Sequence, residues 1–168
     1  MKRIGIFYAS STGTTEEIAL QLAKLLDVDK ADVRNVASSA PTEVADFDII
    51  LLGTSTWGAG DMEDDMIDFA DGLKAIDLTG KQVALFGCGD TSMADTFCDG
   101  VGTLYDDLIP TNCTFIDEFN VDGYTFNHSK AVRGGKAVGL LIDNVNHPDL
   151  TPTRLDLWAT TIQQAAKA

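Results

Sequence analysis

The chain has 168 residues, 45% of them apolar, and a mean hydropathy of +0.03. This length and composition predict one globular domain over residues 1–168, with a substantial apolar core. The net charge is −14, from 12 Lys and Arg against 26 Asp and Glu. A field of that sign disfavours binding to nucleic acids and to anionic membranes, because both require a cationic surface. It favours a partner with a basic surface, and the alternative is that the acidity only keeps the protein in solution.

The N-terminal residues resemble neither a secretion signal nor a membrane segment. The apolar run at residues 4–8 is too short for the apolar region of a signal peptide, and polar residues follow it. No stretch approaches the roughly 20 apolar residues that cross a bilayer. We therefore expect a cytoplasmic protein.

Neither a metal site nor a catalytic group is predicted from the sequence. The three cysteines, Cys88, Cys98 and Cys113, lack the spacing of metal ligands and are interpreted as small buried side chains. His128 and His147 are isolated in the sequence and are interpreted as loop residues.

Apolar segments of strand length recur along the chain. The stronger segments are residues 4–8, 47–53, 83–87 and 137–142, and a weaker one covers residues 32–36. The stronger segments are continuous rather than alternating, which is typical of strands covered on both faces of a parallel sheet. The weaker segment suits an edge strand.

Apolar residues recur at helical spacing between and after these segments. Thr151 and Pro152 are predicted to be the N-cap and first residue of the last helix. The alternation predicts an α/β fold, with a three-layer, doubly wound, five-stranded parallel sheet. Residues 111–136 interrupt the alternation and are interpreted as an insertion in the fifth strand. The four apolar stripes are Ile18, Leu22 and Leu25; Met66, Phe69 and Leu73; Phe97, Val101, Leu104 and Leu108; and Leu155, Trp158 and Ile162.

The segment after the first strand has the features of a phosphate site. Residues 10–16, SSTGTTE, bring hydroxyl groups and a glycine to the start of a helix, where free N–H groups and the helix dipole attract anions. The segment lacks the lysine of a P-loop and the GxGxxG pattern of dinucleotide sites. It therefore favours a phosphate monoester held by N–H and O–H donors, and the alternative is simple capping of the helix.

The segments after the third and fourth strands are candidates for binding a flat ring. Ligands of such sheets lie beyond the carboxyl ends of the strands, where Trp57 follows the third strand within TSTWGAGD. Its ring can stack on a ligand, and Gly58 and Gly60 allow backbone conformations with positive φ. The alternative is a loop tryptophan packed on a neighbour. Residues 86–97, FGCGDTSMADTF, form another turn of small residues, for which an ordinary loop is the alternative.

With these motifs in order, the whole chain resembles the long-chain flavodoxin family. Residues 10–15 match the family's phosphate motif, Thr56 and Trp57 its first ring-binding loop, and residues 87–90 the start of its second. Residues 122–126, 129–132 and 138–140 resemble its long-chain insertion. The resemblance implies strand order 2-1-3-4-5. It also implies a monomeric, low-potential one-electron carrier, not an enzyme, which holds FMN non-covalently and serves redox enzymes with basic docking surfaces.

The resemblance further implies roles for individual residues. Side-chain hydroxyls of Ser10, Thr12 and Thr15 would donate to the FMN phosphate, joined by backbone N–H groups of residues 11–15. Trp57 would stack on the flavin. The peptide between Gly58 and Ala59 would meet the flavin N5 edge, while Gly89 and Asp90 would lie at the pyrimidine edge. The full predicted set is Ser10, Ser11, Thr12, Gly13, Thr14, Thr15, Thr56, Trp57, Gly58, Ala59, Gly60, Cys88, Gly89, Asp90, Met93, Asp95, Thr96 and Phe97.

Two features of the flavin site follow from the same resemblance. FMN would cycle between quinone, neutral semiquinone and hydroquinone, with the semiquinone stabilised when the Gly58 carbonyl accepts from N5–H. Met93 departs from the family pattern, because long-chain members place a tyrosine over the second ring face. A methionine sulfur still contributes about 0.3–1.5 kcal/mol against an aromatic ring. We hypothesise that Met93 covers this face or leaves it more exposed, with looser FMN binding.

Two other protein classes share parts of the pattern. A phospho-accepting receiver domain needs an acidic cluster after the first strand and an aspartate ending the third, but Ser10, Ser11, Thr54 and Ser55 stand there. An FMN-dependent quinone or NAD(P)H oxidoreductase would need a substrate pocket and oligomer contacts, and the sequence gives no obvious sign of either. Oxidation of a nicotinamide nucleotide without an added reductase would distinguish that enzyme from a carrier.

Overall fold

A computed structural model describes residues 1–57 and 60–168, in which helices cover both faces of a central sheet. The helices are α1 (Thr14–Leu26), α2 (Asp64–Leu73), α3 (Asp99–Leu108) and α4 (Thr151–Lys167). The strands are β1 (Ile4–Tyr8), β2 (Val33–Asn35), β3 (Ile49–Trp57), β4 (Asp61–Met62), β5 (Gln82–Cys88), β6 (Thr114–Phe115), β7 (Val132–Arg133), β8 (Lys136–Ala137) and β9 (Gly139–Ile142).

The main sheet has the strand order β2-β1-β3-β5-β6, and all of these neighbours are parallel. The fifth position is shared by β6 and β9, because both pair with β5. Val83 lies opposite Phe115 in β6, and Leu85 lies opposite Gly139 in β9. Counting these two pieces as one interrupted strand, the predicted α/β fold with order 2-1-3-4-5 and an insertion in the fifth strand is confirmed.

The apolar side chains form one core on each face of the sheet, because successive side chains of a strand point to opposite faces. Phe7 points toward α2 and stacks on Phe69 with 5.7 Å between ring centroids. On the other face, Phe86 packs against Trp158 of α4 with ring centroids 6.0 Å apart. Burial on both faces explains why these strands read as continuous apolar runs.

Two details of the predicted helices are wrong. Leu25 is 37% exposed, and the core contact at the end of α1 is made by the next residue, Leu26. Thr151 is not an N-cap, because the short helical turn Pro148–Leu150 runs directly into α4 and makes Thr151 its first residue. The Thr151 hydroxyl instead donates to Asn144 Oδ1 at 2.5 Å.

The two excursions from the main sheet both approach the edge where β3 and β5 end. β4 pairs antiparallel with the end of β3, with Trp57 opposite Asp61. The insertion contains the antiparallel pair β7 and β8, and its Phe126 stacks on Phe97, with centroids 5.3 Å apart. Across the described ranges, no helix combines the length and apolarity that crossing a membrane demands.

Candidate functional site

The three predicted segments lie at the carboxyl ends of β1, β3 and β5, which are adjacent parallel strands. The third strand runs further than predicted, because residues 54–57 of the second segment are the last residues of β3. The carboxyl ends of the three strands therefore meet at one edge of the sheet, where ligands of doubly wound folds bind. At this edge lies a cavity of about 210 Å³ between the second and third segments. It is lined by Thr56, Trp57, Gly89, Asp90, Met93, Thr96 and Cys98. Of these residues, Cys98 alone is absent from the predicted set.

Residues 10–13 of the first segment form the turn that leads into α1, and residues 14–16 are the first residues of the helix. Gly13 precedes the helix with φ +91°, a left-handed conformation that favours glycine, and it provides no side-chain cap for the helix N–H groups. The Gly13 N–H donates to Ser10 Oγ at 3.0 Å. Ser11, Thr12 and Gly13 are exposed, so an anion can approach this turn from solvent.

Thr15 carries a buried hydroxyl group at the start of α1. The residue is 1% exposed, and no described residue forms a hydrogen bond of ordinary geometry with Oγ1. Its polar neighbour is the Cys88 thiol, a weak partner whose pKa the Thr15 hydroxyl lowers against the larger effect of burial. Buried hydroxyl groups are nearly always hydrogen-bonded, so an unpartnered one requires an explanation. Its position in the first turn of a helix without a side-chain cap fits a site for a phosphate oxygen.

The second segment presents the indole of Trp57 at the cavity. Trp57 is 42% exposed, and its Nε1–H donates to Glu63 Oε2 at 2.5 Å and to Ser55 Oγ at 3.1 Å. The preceding residue, Thr56, is held by α3, because Thr56 Oγ1 accepts from the Gly100 N–H at 3.0 Å. The ring of Trp57 is therefore available to stack on a ligand.

The turn after Trp57 is only partly described. Gly60 has φ +106°, and its N–H donates to the Trp57 carbonyl at 3.1 Å. A Cβ atom at this position would lie 2.8 Å from Asp99 Oδ2, so the close approach also favours glycine. Gly58 and Ala59, predicted to meet the flavin N5 edge, lie outside the described residues, and their role stays a prediction.

The third segment begins with a close approach between the end of β5 and the start of α3. A Cβ atom at Gly89 would lie 2.8 Å from Cys98 Sγ, and the Gly89 N–H donates to the Ile142 carbonyl at 2.9 Å. Asp90 Oδ1 accepts from the Ser92 N–H at 2.8 Å. Hydrogen bonds from the Ser92 hydroxyl and N–H lower the pKa of Asp90, so this carboxylate is ionised at neutral pH.

The other predicted residues of this segment lie in different surroundings. Met93 lines the cavity and is 53% exposed. Asp95 is exposed and accepts from Asn127 of the insertion at 3.3 Å, whereas the Phe97 side chain lies in the core. Burial raises the pKa of the Cys88 thiol to about 12, so Cys88 is neutral at physiological pH.

Two buried carboxylates support the site and were not predicted. Glu63 contacts the first and second segments, and Asp143 contacts the third through Thr91. Glu63 lies in the acidic run DMEDD, where nothing in the sequence distinguishes a buried carboxylate from its solvated neighbours. Asp143 directly follows a fully buried strand, at the edge where ligands bind, and this position was a usable signal.

The described groups around the site fit an anion and a flat ring better than a metal ion. Across residues 1–57 and 60–168, no group of three His, Cys, Asp or Glu side chains is arranged to hold a metal ion. Glu16 and Glu17 lie in the first turn of α1. A phosphate bound at this turn would therefore depend on N–H and O–H donors and would meet nearby negative charge.

Comparisons with known proteins find similar chains in one family. The family model described as Flavodoxin matches residues 6–158. The chain is 40% identical over 164 residues to a flavodoxin of Haemophilus influenzae, covering 96% of this chain and 94% of the relative. It is 41% identical to flavodoxin 1 of Escherichia coli K12, with 95% and 92% covered. A Fusobacterium nucleatum flavodoxin mutant, K13G, solved bound to flavin mononucleotide, superimposes with a TM-score of 0.91 at 34% identity, covering 99% and 98% of the two chains.

Proposed function

Because the chain belongs to the flavodoxin family, we propose that it carries single electrons between redox enzymes on a non-covalently bound FMN. The observation that carries this proposal is the cavity lined by Trp57 and Met93, which lies at the same sheet edge as the uncapped start of α1. A ring-binding cavity beside an anion site matches a ligand with a planar ring and one phosphate.

We infer that the turn before α1 binds the phosphate. The buried Thr15 hydroxyl, which forms no hydrogen bond of ordinary geometry with a described residue, supports this role. Ser10 Oγ accepts from the Gly13 N–H, so its own hydrogen is free to donate to a phosphate oxygen. Thr12 is exposed on the same turn and provides a third hydroxyl. Backbone N–H groups of residues 11–15 complete the proposed set.

The cavity between the second and third segments is the proposed site of the flavin ring. Trp57 stacks on one ring face, and Met93 contacts the other through its flexible, polarisable side chain. Gly89 and Asp90 line the same cavity and are assigned to the pyrimidine edge. The unpredicted lining residue, Cys98, adds a small, uncharged side chain because burial raises its pKa well above the ordinary value.

The chain positions FMN and sets its electrostatic surroundings. When bound, FMN supplies the redox chemistry, because no side chain of the site is itself a one-electron carrier. The carboxylates of Glu63 and Asp90 lie beside the proposed site, and the net charge is −14. Negative charge near a cofactor opposes its reduction, so these residues support a low potential.

We further propose that the partners are redox enzymes with basic docking surfaces and that the chain acts as a cytoplasmic monomer. Asp61, Asp64 and Asp95 are exposed on the segments that surround Trp57 and Met93. Charge of this sign steers association with a basic surface and weakens it as salt concentration rises. Members of this family transfer electrons between enzymes, and the chain is assigned this role rather than that of an oxidoreductase.

The test of the proposed function is flavin uptake followed by anaerobic reduction. Apoprotein is titrated with FMN, and the complex is then reduced stepwise while absorbance is recorded from the near ultraviolet to the red. Two resolved one-electron steps are expected. A chain that does not take up FMN, or one that oxidises a nicotinamide nucleotide without an added reductase, would contradict the carrier function.

A further inference from the structure

Glu63 connects the phosphate turn to the ring-stacking residue. Its carboxylate is 6% exposed. Oε1 accepts from the Ser11 hydroxyl at 2.5 Å, while Oε2 accepts from the Trp57 indole N–H at 2.5 Å and from the Ser55 hydroxyl at 3.3 Å. Among residues 1–57 and 60–168, no Lys, Arg or His forms an ion pair with Glu63. Neutral donors therefore satisfy this buried carboxylate.

We propose that Glu63 is a positioning residue that fixes the orientation of the Trp57 ring and turns the Ser11 hydroxyl away from the phosphate. The inference rests on the proposed FMN site. Trp57 is 42% exposed, so packing alone leaves much of its ring unrestrained. A hydrogen bond to an ionised carboxylate is about twice as strong as a neutral one, and it holds the indole in one orientation.

The same carboxylate determines what Ser11 offers a phosphate. A hydroxyl group has one hydrogen to donate, and Ser11 gives it to Glu63 Oε1. The Ser11 side chain therefore has no hydrogen left for a phosphate oxygen, and only its backbone N–H can donate. The negative charge of Glu63 also repels the phosphate. Glu63 thus favours ring stacking and disfavours phosphate binding.

Two substitutions separate the effect of positioning from the effect of charge. Glu63→Gln and Glu63→Leu remove the same charge but differ in whether an acceptor for the Trp57 N–H remains. In Glu63→Gln, the amide oxygen still accepts from the Trp57 N–H. The amide NH₂ then faces Ser11 and donates to its oxygen, which frees the Ser11 hydrogen. In Glu63→Leu, no acceptor for Trp57 remains. A difference between these two variants therefore reports positioning rather than charge.

The affinities of apoprotein for riboflavin and FMN measure the two roles, because riboflavin lacks the phosphate. Riboflavin affinity should stay within about twofold of wild type in Glu63→Gln and fall about tenfold in Glu63→Leu. FMN affinity should rise severalfold in Glu63→Gln, since repulsion falls and Ser11 gains a free donor. Equal riboflavin affinities in the two variants would overturn the positioning role. The control Asp65→Asn removes the same charge two positions further along, at an exposed residue, and should leave riboflavin affinity unchanged.

A second pair of variants tests whether Glu63 acts through Trp57. Trp57→Phe keeps an aromatic ring but removes the indole N–H. In the Trp57→Phe background, Glu63→Gln and Glu63→Leu should bind riboflavin equally, because the hydrogen bond that distinguishes them no longer exists. A tenfold difference that persists in this background would show that Glu63 acts by another route.

A measurement without flavin distinguishes failure of this inference from failure of the proposed function. Acrylamide quenches exposed tryptophans, and Trp158 is only 2% exposed, so quenching reports on Trp57. Quenching should match wild type in Glu63→Gln and should increase in Glu63→Leu. Identical quenching in both variants would contradict the positioning role. Failure of wild-type apoprotein to bind FMN would instead contradict the proposed function, whatever the quenching shows about Trp57.

Discussion

Asp143 accepts two hydrogen bonds from Thr91, one from its N–H at 3.1 Å and one from its hydroxyl at 2.5 Å. Asp143 is 0% exposed at the end of β9, and Thr91 lies in the segment after β5. The other carboxylate oxygen of Asp143 accepts from the N–H groups of Val145 and Asn146 at 3.0 and 2.9 Å. One carboxylate therefore joins the third segment of the site to the chain that leads into α4.

We expect Asp143→Asn to lower the free energy of unfolding at pH 7 by about 3 kcal/mol. An amide NH₂ in place of either oxygen faces an N–H of Thr91, Val145 or Asn146, so donors would meet donors at a buried position. Urea unfolding of apoprotein measures the change. Thr91→Val is the milder comparison, because it removes only the hydroxyl, which donates to Asp143 and accepts from Asn146 Nδ2 at 3.3 Å, and it should cost about 1 kcal/mol. Equal stability of Asp143→Asn and wild type would contradict this account.

The stability difference between wild type and Asp143→Asn should depend on pH. Burial raises the pKa of Asp143, but hydrogen bonds from Thr91 and Asn146 outweigh it and lower this pKa below the ordinary value of 3.8. A carboxyl group with a lowered pKa in the folded state stabilises the protein above its unfolded pKa, and this contribution is lost as pH falls through the folded value. The difference should be constant above about pH 5 and shrink below pH 3.8. A constant difference down to pH 2 would contradict the lowered pKa.

Thr15→Val should weaken FMN binding without lowering the stability of the apoprotein. Valine has nearly the same shape, and the Thr15 hydroxyl forms no hydrogen bond of ordinary geometry with a described residue, its contact with the Cys88 thiol being weak. The free energy of unfolding of apoprotein should therefore stay the same or rise by up to about 1 kcal/mol. FMN affinity should fall about tenfold, because one donor to the phosphate is lost. Fluorescence titration of apoprotein measures the affinity.

Riboflavin is the matched control for Thr15→Val. It has the same ring but no phosphate, so its affinity should be equal in Thr15→Val and wild type. A parallel loss of FMN and riboflavin affinity would mean that Thr15 acts on the ring site. Unchanged FMN affinity would remove Thr15 from the proposed phosphate donors.

Met93→Tyr should tighten FMN binding. Met93 lines the cavity and is 53% exposed. Among the described lining residues, Trp57 is the only aromatic one. A tyrosine offers a larger, flat surface, and an aromatic contact adds about 0.5–1.5 kcal/mol, or about two- to tenfold in affinity. Met93→Leu is the control of similar size without a ring, and its affinity should stay close to wild type. Equal affinities of the tyrosine variant and wild type would mean that residue 93 does not cover the flavin.

The fold and most of the site could be predicted because their signals are local in sequence. β1, β3 and β5 are buried on both faces, so each one reads as a continuous apolar run. Trp57 gives another local signal, because a large aromatic residue beside a glycine-rich turn has no obvious position in the core. The cavity lined by Trp57 and Met93 then follows from the order of parallel strands.

The supporting carboxylates could not be predicted in the same way, because their roles depend on contacts between distant residues. Glu63 meets Ser11 only when β3 lies beside β1, and Asp143 meets Thr91 across 52 residues of sequence. β4 has two residues, which is too short for an alternating pattern. Thr151 had the residue type of an N-cap, but the preceding helical turn moved the start of the helix.

Gly89→Ala should destabilise the protein even though Gly89 has no side chain to lose. An added Cβ would lie 2.8 Å from Cys98 Sγ and 2.9 Å from the Cys98 backbone nitrogen, distances that require the end of β5 and the start of α3 to separate. Such overpacking costs about 1–3 kcal/mol, which urea unfolding measures. Cys98→Ala in the same chain removes the sulfur but leaves the backbone contact, so it should restore only part of the loss. Full restoration would assign the whole clash to the sulfur, and unchanged stability of Gly89→Ala would show that the two segments separate without cost.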